Sequence, residues 1–373
     1  MGTTTRSHPK RPAPGRYSKT AAKGNAPIKM RKFVLLGILN LVLVIAALYL
    51  FEALLYATDP RRTLPKDGMF GAVHYTWGHE VRNNRLGFRE REFVVPKPAN
   101  TCRIMVLGDS LTWGAGLAPE ERYTNLAEAK LRHQFPGRHI ELINFGISGG
   151  PTETEAVILR QHIAQTQPDQ IVVGFCLNDP QPKSQDFSKE KEAFTQRAEG
   201  ALSELEHALS LVGLPRTAAA TRRATYRAAE LLGIFPTWEA ALDRTYDPAS
   251  DEWRRFTAAL RDIRAQSDQA GLPSPIFSIL NQGTYTDRPT RYSKPDAELK
   301  RFRRWYEQAE EAARAAGFRT YNHEHEIIAS LDDAVLALNV VDGHPSAALN
   351  VLYAEHLTQI LADELQAGRL CPE

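Results

Sequence analysis

The stretch TCRIMVLGDSLTWGAGL, Thr101 to Leu117, reads as a buried strand that runs directly into a glycine-punctuated turn carrying a hydroxyl. Ile104, Met105, Val106 and Leu107 form an apolar run of strand length with no helical period. Gly108, Asp109 and Ser110 follow, so a small polar residue stands where a parallel strand would end. In open α/β sheets that edge is where ligands bind, which makes Ser110 the candidate centre of the chemistry.

Downstream, strands alternate with helices. Pro119 to Gln134 places Tyr123, Leu126, Ala127 and Leu131 at helical spacing, HIELIN (His139 to Asn144) is a second strand, and Pro151 opens a helix to about Gln165. IVVGFCL (Ile171 to Leu177) and PIFSIL (Pro275 to Leu280) are further strands. A helix over Asp296 to Ala316, a short strand Arg319 to Asn322 and a last helix from about Ser346 to Gln366 complete the order. Such alternation implies a parallel sheet with right-handed crossovers. Between Asp179 and Gly271 the chain departs from it. Phe194, Ala198, Ala201, Leu202, Leu205, Leu209 and Val212 keep a helical stripe, and Trp238 to Leu242 and Trp253 to Ile263 suggest more helices. We read about 180–271 as a helical insertion over or beside the strand ends, with its arginines on a solvated face.

Upstream, Phe33 to Phe51 is apolar apart from Asn40 and long enough as a helix to cross a bilayer core of about 30 Å. It is too long for a signal-peptide core, and no A-x-A cleavage site follows. Residues 33–55 are therefore expected to be a transmembrane helix, 1–32 a disordered basic tail and 56–100 a connector with one or two short strands. The tail holds nine Lys or Arg and no acid; without them the chain has 37 basic against 44 acidic residues, which argues against a nucleic-acid surface on the folded body. Lys29, Arg31 and Lys32 at the front of the apolar run place the tail in the cytoplasm and the body in the periplasm or another extracytoplasmic space, as a single-pass protein. Arg61 and Arg62 oppose this orientation weakly. At 373 residues and 43% hydrophobic, the chain can bury one large α/β core.

Three of the strands' ends and one loop carry polar residues that converge on one sheet edge. Ser110 follows the first strand, Asn144 to Gly150 (NFGISGG) follows the second, Asn178 and Asp179 follow the third, and Asp342, Gly343, His344 and Pro345 precede the last helix. A Ser, a His, an acid and spare donors are the parts acyl transfer needs. As purely structural residues, Ser110 would cap a helix, Asn178 would close a turn, Gly149 would serve only φ > 0 and Asp342 would start a turn at Gly343; their shared edge weighs against each. His323 and His325 in NHEHE lack a third ligand nearby, so no metal is expected. Trp113 is a wall of the site or plain packing. No G-x-G-x-x-G or P-loop appears, so no cofactor is expected either.

These ordered blocks, GDSLTWG, NFGISGG, GFCLND and DGHPS, resemble the SGNH or GDSL hydrolase superfamily over about Thr101 to Gln366. The resemblance implies a flavodoxin-like α/β/α fold for 101–373 and a serine esterase working through an acyl-enzyme. It makes Ser110 the nucleophile, His344 its base and Asp342 the acid, with the Ser110 and Gly149 N–H groups and the Asn178 amide as the oxyanion hole. The family's acid most often stands three residues before the His, whereas Asp342 stands two before it, so Asp332 and Asp333 stay in reserve. The implied substrate is an acyl ester on a glycan, a lipid or a small alcohol. The alternatives are an O-acyltransferase acting on a cell-surface polysaccharide and a non-catalytic binding module of the same fold.

Of the three cysteines, Cys102 lies at the bottom of the first strand, and the last helix must descend to that side, so a Cys102–Cys371 disulfide is expected with Cys176 free.

Overall fold

The computed structural model describes Gly2 and residues 26–58, 75–182, 188–281, 296–323, 337–338 and 342–371. The chain forms two compact units, Met1–Leu50 and Phe51–Glu373. The first contains most of helix α1 (Ala26–Thr58), which begins earlier than the apolar run because Pro27 sits in its first turn, where a missing N–H costs no hydrogen bond. Lys32–Thr58 is long and apolar enough to cross a membrane, and its most apolar window is not buried among the described residues, unlike that of a core helix. Apart from Gly2, the expected disordered tail up to residue 25 lies outside the described residues.

In the second unit a two-stranded ribbon, β1 (Tyr75–Thr76) and β2 (His79–Glu80), precedes the main sheet. That sheet comprises β3 (Thr101–Gly108), β4 (His139–Gly146), β5 (Gln170–Phe175), β6 (Ile276–Ile279) and β7 (Arg319–Asn322), in the order β4-β3-β5-β6-β7 with every pair parallel. Numbered from β3 this is the flavodoxin order 2-1-3-4-5, whose switch point lies between β3 and β5.

Period-two alternation in β3 builds both cores. Ile104 and Val106 face α3 (Tyr123–Gln134) and α10 (Ala347–Gln366), joining Leu131, Leu357 and Leu361. Met105 and Leu107 face the other layer, made by α4 (Thr152–Thr166), α8 (Asp251–Gln269) and α9 (Asp296–Ala315) with Leu159, Phe256 and Trp305. Each such side chain, buried on both flanks, contributes roughly 1.5–3 kcal/mol. At the bottom of β3, Arg103 is fully buried, paired with Glu141 at 2.7 Å and donating to the carbonyls of Thr166 and Val94. There Cys102 is bonded to Cys371, with Cα atoms 5.7 Å apart, and Cys176 is free and buried.

One strand boundary differs from expectation. Strand β5 stops at Phe175, because the Asp179 carboxylate takes the Cys176 N–H at 3.0 Å and folds Cys176 to Gln181 into a turn that competes with the ladder. The stretch expected as a helical insertion, about 180–271, holds α5 (Lys189–Leu211), α6 (Pro215–Leu231), α7 (Trp238–Thr245) and α8, of which α8 packs on α4 within the crossover that parallel β5 and β6 require.

Candidate active site

Three glycines stand in register across the sheet, with Gly108 opposite both Gly146 and Gly174. Helix α2 (Ser110–Trp113) lies against this row. A Cβ at Gly108 would come 2.1 Å from Thr112 Oγ1, at Gly146 2.3 Å from the Trp113 nitrogen and at Gly174 2.5 Å from the Tyr123 hydroxyl. The absence of side chains there lets the first turn after β3 sit directly on the strand ends. Asp109 caps it, with Oδ1 accepting the Leu111 N–H at 2.8 Å, so Ser110 is the first helical residue and not the cap.

Ser110 Oγ lies 2.9 Å from His344 Nε2, and His344 Nδ1 lies 2.7 Å from Asp342 Oδ1. The same Asp342 oxygen accepts the His344 backbone N–H at 3.0 Å, and its other oxygen accepts Trp77 Nε1–H at 2.5 Å. The His344 loop is held on both sides. Ala337 bridges Pro345, the Leu338 N–H donates to the His344 carbonyl at 2.6 Å, and Ser346 caps α10 by accepting from Leu349. Burial opposes ionisation of Asp342, but the imidazole and the three donors outweigh it and hold the carboxyl below its ordinary value. Burial likewise works against the His344 cation, yet the Asp342 carboxylate prevails and raises the imidazole above its usual value. An Asp two residues before the His therefore reaches Nδ1; Asp332 and Asp333 lie outside the described residues, as does His325.

The other candidates sit around Ser110. Asn178, in the turn after β5, donates from Nδ2 to Asp109 Oδ2 at 3.0 Å, and the Ser110 hydroxyl is 3.2 Å from that same oxygen. One amide hydrogen of Asn178 is thus engaged with Asp109, and the second is the one an oxyanion would use. Gly149, in the loop after β4, adopts φ 68°, the left-handed region that suits glycine. Trp113 is buried, with the Arg89 guanidinium 4.7 Å from its ring centroid, so it packs the base of the site. His323 stacks on His356, ring centroids 4.0 Å apart.

Behind the Asn178 turn lies a set of acids that motif reading passed over. Glu155 of α4 and Asp179 are both buried, and burial pushes both carboxyls far up; repulsion from Asp109 adds to each, and repulsion from Glu155 adds to Asp179. The turn is pinned by Thr152, whose N–H donates to the Asp179 carbonyl at 3.2 Å, and by Tyr246 after α7, whose hydroxyl donates to the Leu177 carbonyl at 3.1 Å. Trp77 is the other missed residue. It lies 265 positions from Asp342, and no spacing rule joins a tryptophan in a connector to a C-terminal acid.

The model of the GDSL-like lipase/acylhydrolase family matches residues 106–350. No sequence among the curated proteins matches this chain significantly. Among solved structures, the chain is similar to the psychrotrophic esterase EstA from Pseudoalteromonas sp., at 16% identity over 72% of this chain and 99% of that one, TM-score 0.35. It is similar to the lipase/acylhydrolase from Enterococcus faecalis, at 15% identity over 73% and 98%, TM-score 0.39. A third is a catalytic mutant of Axe2, an acetylxylan esterase from Geobacillus stearothermophilus, at 14% identity over 69% and 92%, TM-score 0.38.

Proposed function

This chain belongs to the GDSL-like lipase/acylhydrolase family and is an SGNH-type hydrolase of ester bonds, and from that premise we propose that Ser110, His344 and Asp342 carry the reaction through an acyl-enzyme. The observation that carries the reading is the unbroken hydrogen-bonded line from Ser110 Oγ through His344 to Asp342, at the switch point of the sheet.

With Nδ1–H donated to Asp342, the neutral imidazole has its lone pair on Nε2, facing the serine hydroxyl. Ser110 Oγ attacks the ester carbonyl carbon while its proton passes to Nε2, and Asp342 stabilises the resulting imidazolium. The oxyanion is met by the N–H groups of Ser110 and Gly149 and by the free amide hydrogen of Asn178. Collapse breaks the ester C–O bond, and the alcohol leaves with the proton from Nε2. Water, deprotonated by His344, then attacks the acyl-serine; collapse releases the carboxylic acid and returns the proton to Ser110.

The acyl group resides on a glycan, a lipid or a small alcohol outside the cytoplasm, with α1 as a single-pass anchor and the basic tail inside. The apolar length of Lys32–Thr58 and the basic residues at its front support this topology. The test is an acyl-ester panel, with acetylated oligosaccharides, glycerolipids and aryl esters given to the detergent-solubilised full chain and products resolved with and without sugar acceptors. Release of free acid supports the hydrolase; transfer to the acceptor sugar would replace it with a transferase, and no turnover on any ester would reject the reading.

A further inference from the structure

The last turns of α1, from Phe51 onward, belong to the same compact unit as the sheet. There the Glu52 carboxylate accepts the backbone N–H groups of Arg216 at 3.0 Å and Thr217 at 2.7 Å, and the Thr217 hydroxyl at 2.9 Å. These are first-turn donors of α6, which have no partner inside the helix, and the residue ahead of α6, Leu214, supplies no side-chain cap. Glu52 takes that role from elsewhere in the chain, and it is buried in doing so. The Arg216 guanidinium lies 3.7 Å from Glu52 and 4.9 Å from the Tyr56 ring centroid, which fastens the contact further.

Just before this docking point the chain turns from α5 into α6. The turn is closed by Gly213 N–H to the Ser210 carbonyl at 3.1 Å and Leu214 N–H to the Leu209 carbonyl at 2.9 Å. Leu214 goes inward, while Leu211 and Val212 point out, 74% and 55% exposed. Arg216 is four positions on from Val212, so the corner lies within about 14 Å of the residues that hold Glu52.

We infer that this corner, Leu211 with Val212, is a membrane-contact element whose side chains enter the lipid interface beside the exit of the chain from the bilayer. The inference rests on the anchor reading proposed above. As a helix, Phe33 to Phe51 covers about 28 Å, close to the ~30 Å hydrocarbon core, which brings Glu52 to headgroup level. The α6 end that caps on Glu52 is then at that level too, and an apolar corner there lies at the depth of roughly 5–10 Å at which interfacial segments bury their apolar faces. Further along α6, Ala219 packs on the Trp77, Leu117 and Leu338 cluster, and Trp77 holds Asp342. One short helix therefore connects the lipid-facing corner to the triad's acid, which suits an ester presented at the membrane surface.

The test uses the full chain in liposomes, with Leu211→Cys or, separately, Val212→Cys carrying a nitrobenzoxadiazole label. Cys176 is buried and the other two cysteines are bonded, so the introduced thiol is the reactive one. Leu43→Cys, inside the apolar run, reports the anchor itself. Lipids brominated near the top of the acyl chain should quench the corner labels, whose emission should shift blue relative to detergent micelles, and lipids brominated near the chain end should quench the label at Leu43, which lies near the bilayer centre. Quenching at Leu43 with unquenched, unshifted corner labels would overturn the inference while leaving the anchor in place. Unquenched labels at all three positions would overturn the anchor reading and the inference with it.

Discussion

Asp342→Asn is the most informative small change to the site, because it removes one charge and keeps the shape. The two oxygens of Asp342 receive three donors, from His344 Nδ1, the His344 backbone and Trp77 Nε1. Asparagine offers one accepting oxygen and one donating NH2. If the oxygen stays on His344, the NH2 confronts the Trp77 N–H, and the imidazolium loses a charged hydrogen bond worth about 1.5–3 kcal/mol, or some 10- to 100-fold in kcat. If the amide flips, His344 must accept at Nδ1 and carry its proton on Nε2, where it cannot take the Ser110 proton; a wrong tautomer of this kind costs about 10⁴ in kcat. The expected loss is therefore about 10-fold to 10⁴-fold, with KM little changed. The pH profile supplies a second readout. The base must be neutral to act, so activity in the parent rises with pH through the His344 value, which Asp342 holds above the usual imidazole value. Without the carboxylate, burial acts unopposed by it, and the acid limb of kcat/KM moves to lower pH. Steady-state hydrolysis of an aryl acetate across that limb measures both. Activity within about threefold of the parent, with the limb unmoved, would refute the role given to Asp342.

Three further outcomes follow from the same geometry. Gly146→Ala sets a Cβ 2.3 Å from the Trp113 nitrogen, which is backbone and cannot rotate away, so α2 should be displaced from the sheet; a Tm drop with loss of activity is expected, and a variant with parental Tm and turnover contradicts the glycine-row explanation. Asn178→Ala should lower kcat by about 10²- to 10³-fold with a small effect on KM, and a change confined to KM would remove Asn178 from the oxyanion hole. Glu155 and Asp179 have carboxyl values raised by burial, so the stability they permit is complete below the ordinary carboxyl range and is lost as pH rises toward their raised values. Glu155→Gln should flatten that decline in Tm with rising pH, and an unchanged slope would show that Glu155 ionises as freely in the folded chain as in the unfolded one.

Much of this architecture was legible because it depends on local pattern. The apolar run of Ile104 to Leu107 could only be a central strand, and strands alternating with amphipathic helices leave a parallel sheet as the natural closure. The residues at the strand ends, Ser110, Gly149 and Asn178, could be placed on one edge from order alone, and DGHPS before the last helix brought Asp342 and His344 to the same edge. Helix α6 was missed since the residues that PRTAAATRRATYRAAEL buries are Arg216, Thr217, Ala218 and Ala229 rather than large apolar side chains, although Pro215 at its first position was a usable signal. The packing of α8 on α4 was not legible for a different reason. Periodicity identifies a helix but does not say which face of the sheet receives it. Trp77 on Asp342, Glu52 on α6 and Tyr246 on the Asn178 turn are contacts between residues far apart in sequence, fixed by packing and invisible to spacing.

The central claim is that Ser110 forms the acyl-enzyme, and the most direct measurement is labelling of the full chain with a fluorophosphonate followed by mass spectrometry of the adducted peptide. The adduct should map to Ser110, disappear in Ser110→Ala along with ester turnover, and leave the thermal unfolding of that variant unchanged, since the Ser110 hydroxyl closes no structural cap. Full labelling or full turnover in a folded Ser110→Ala protein would contradict the mechanism and every partner role assigned to His344, Asp342 and Asn178.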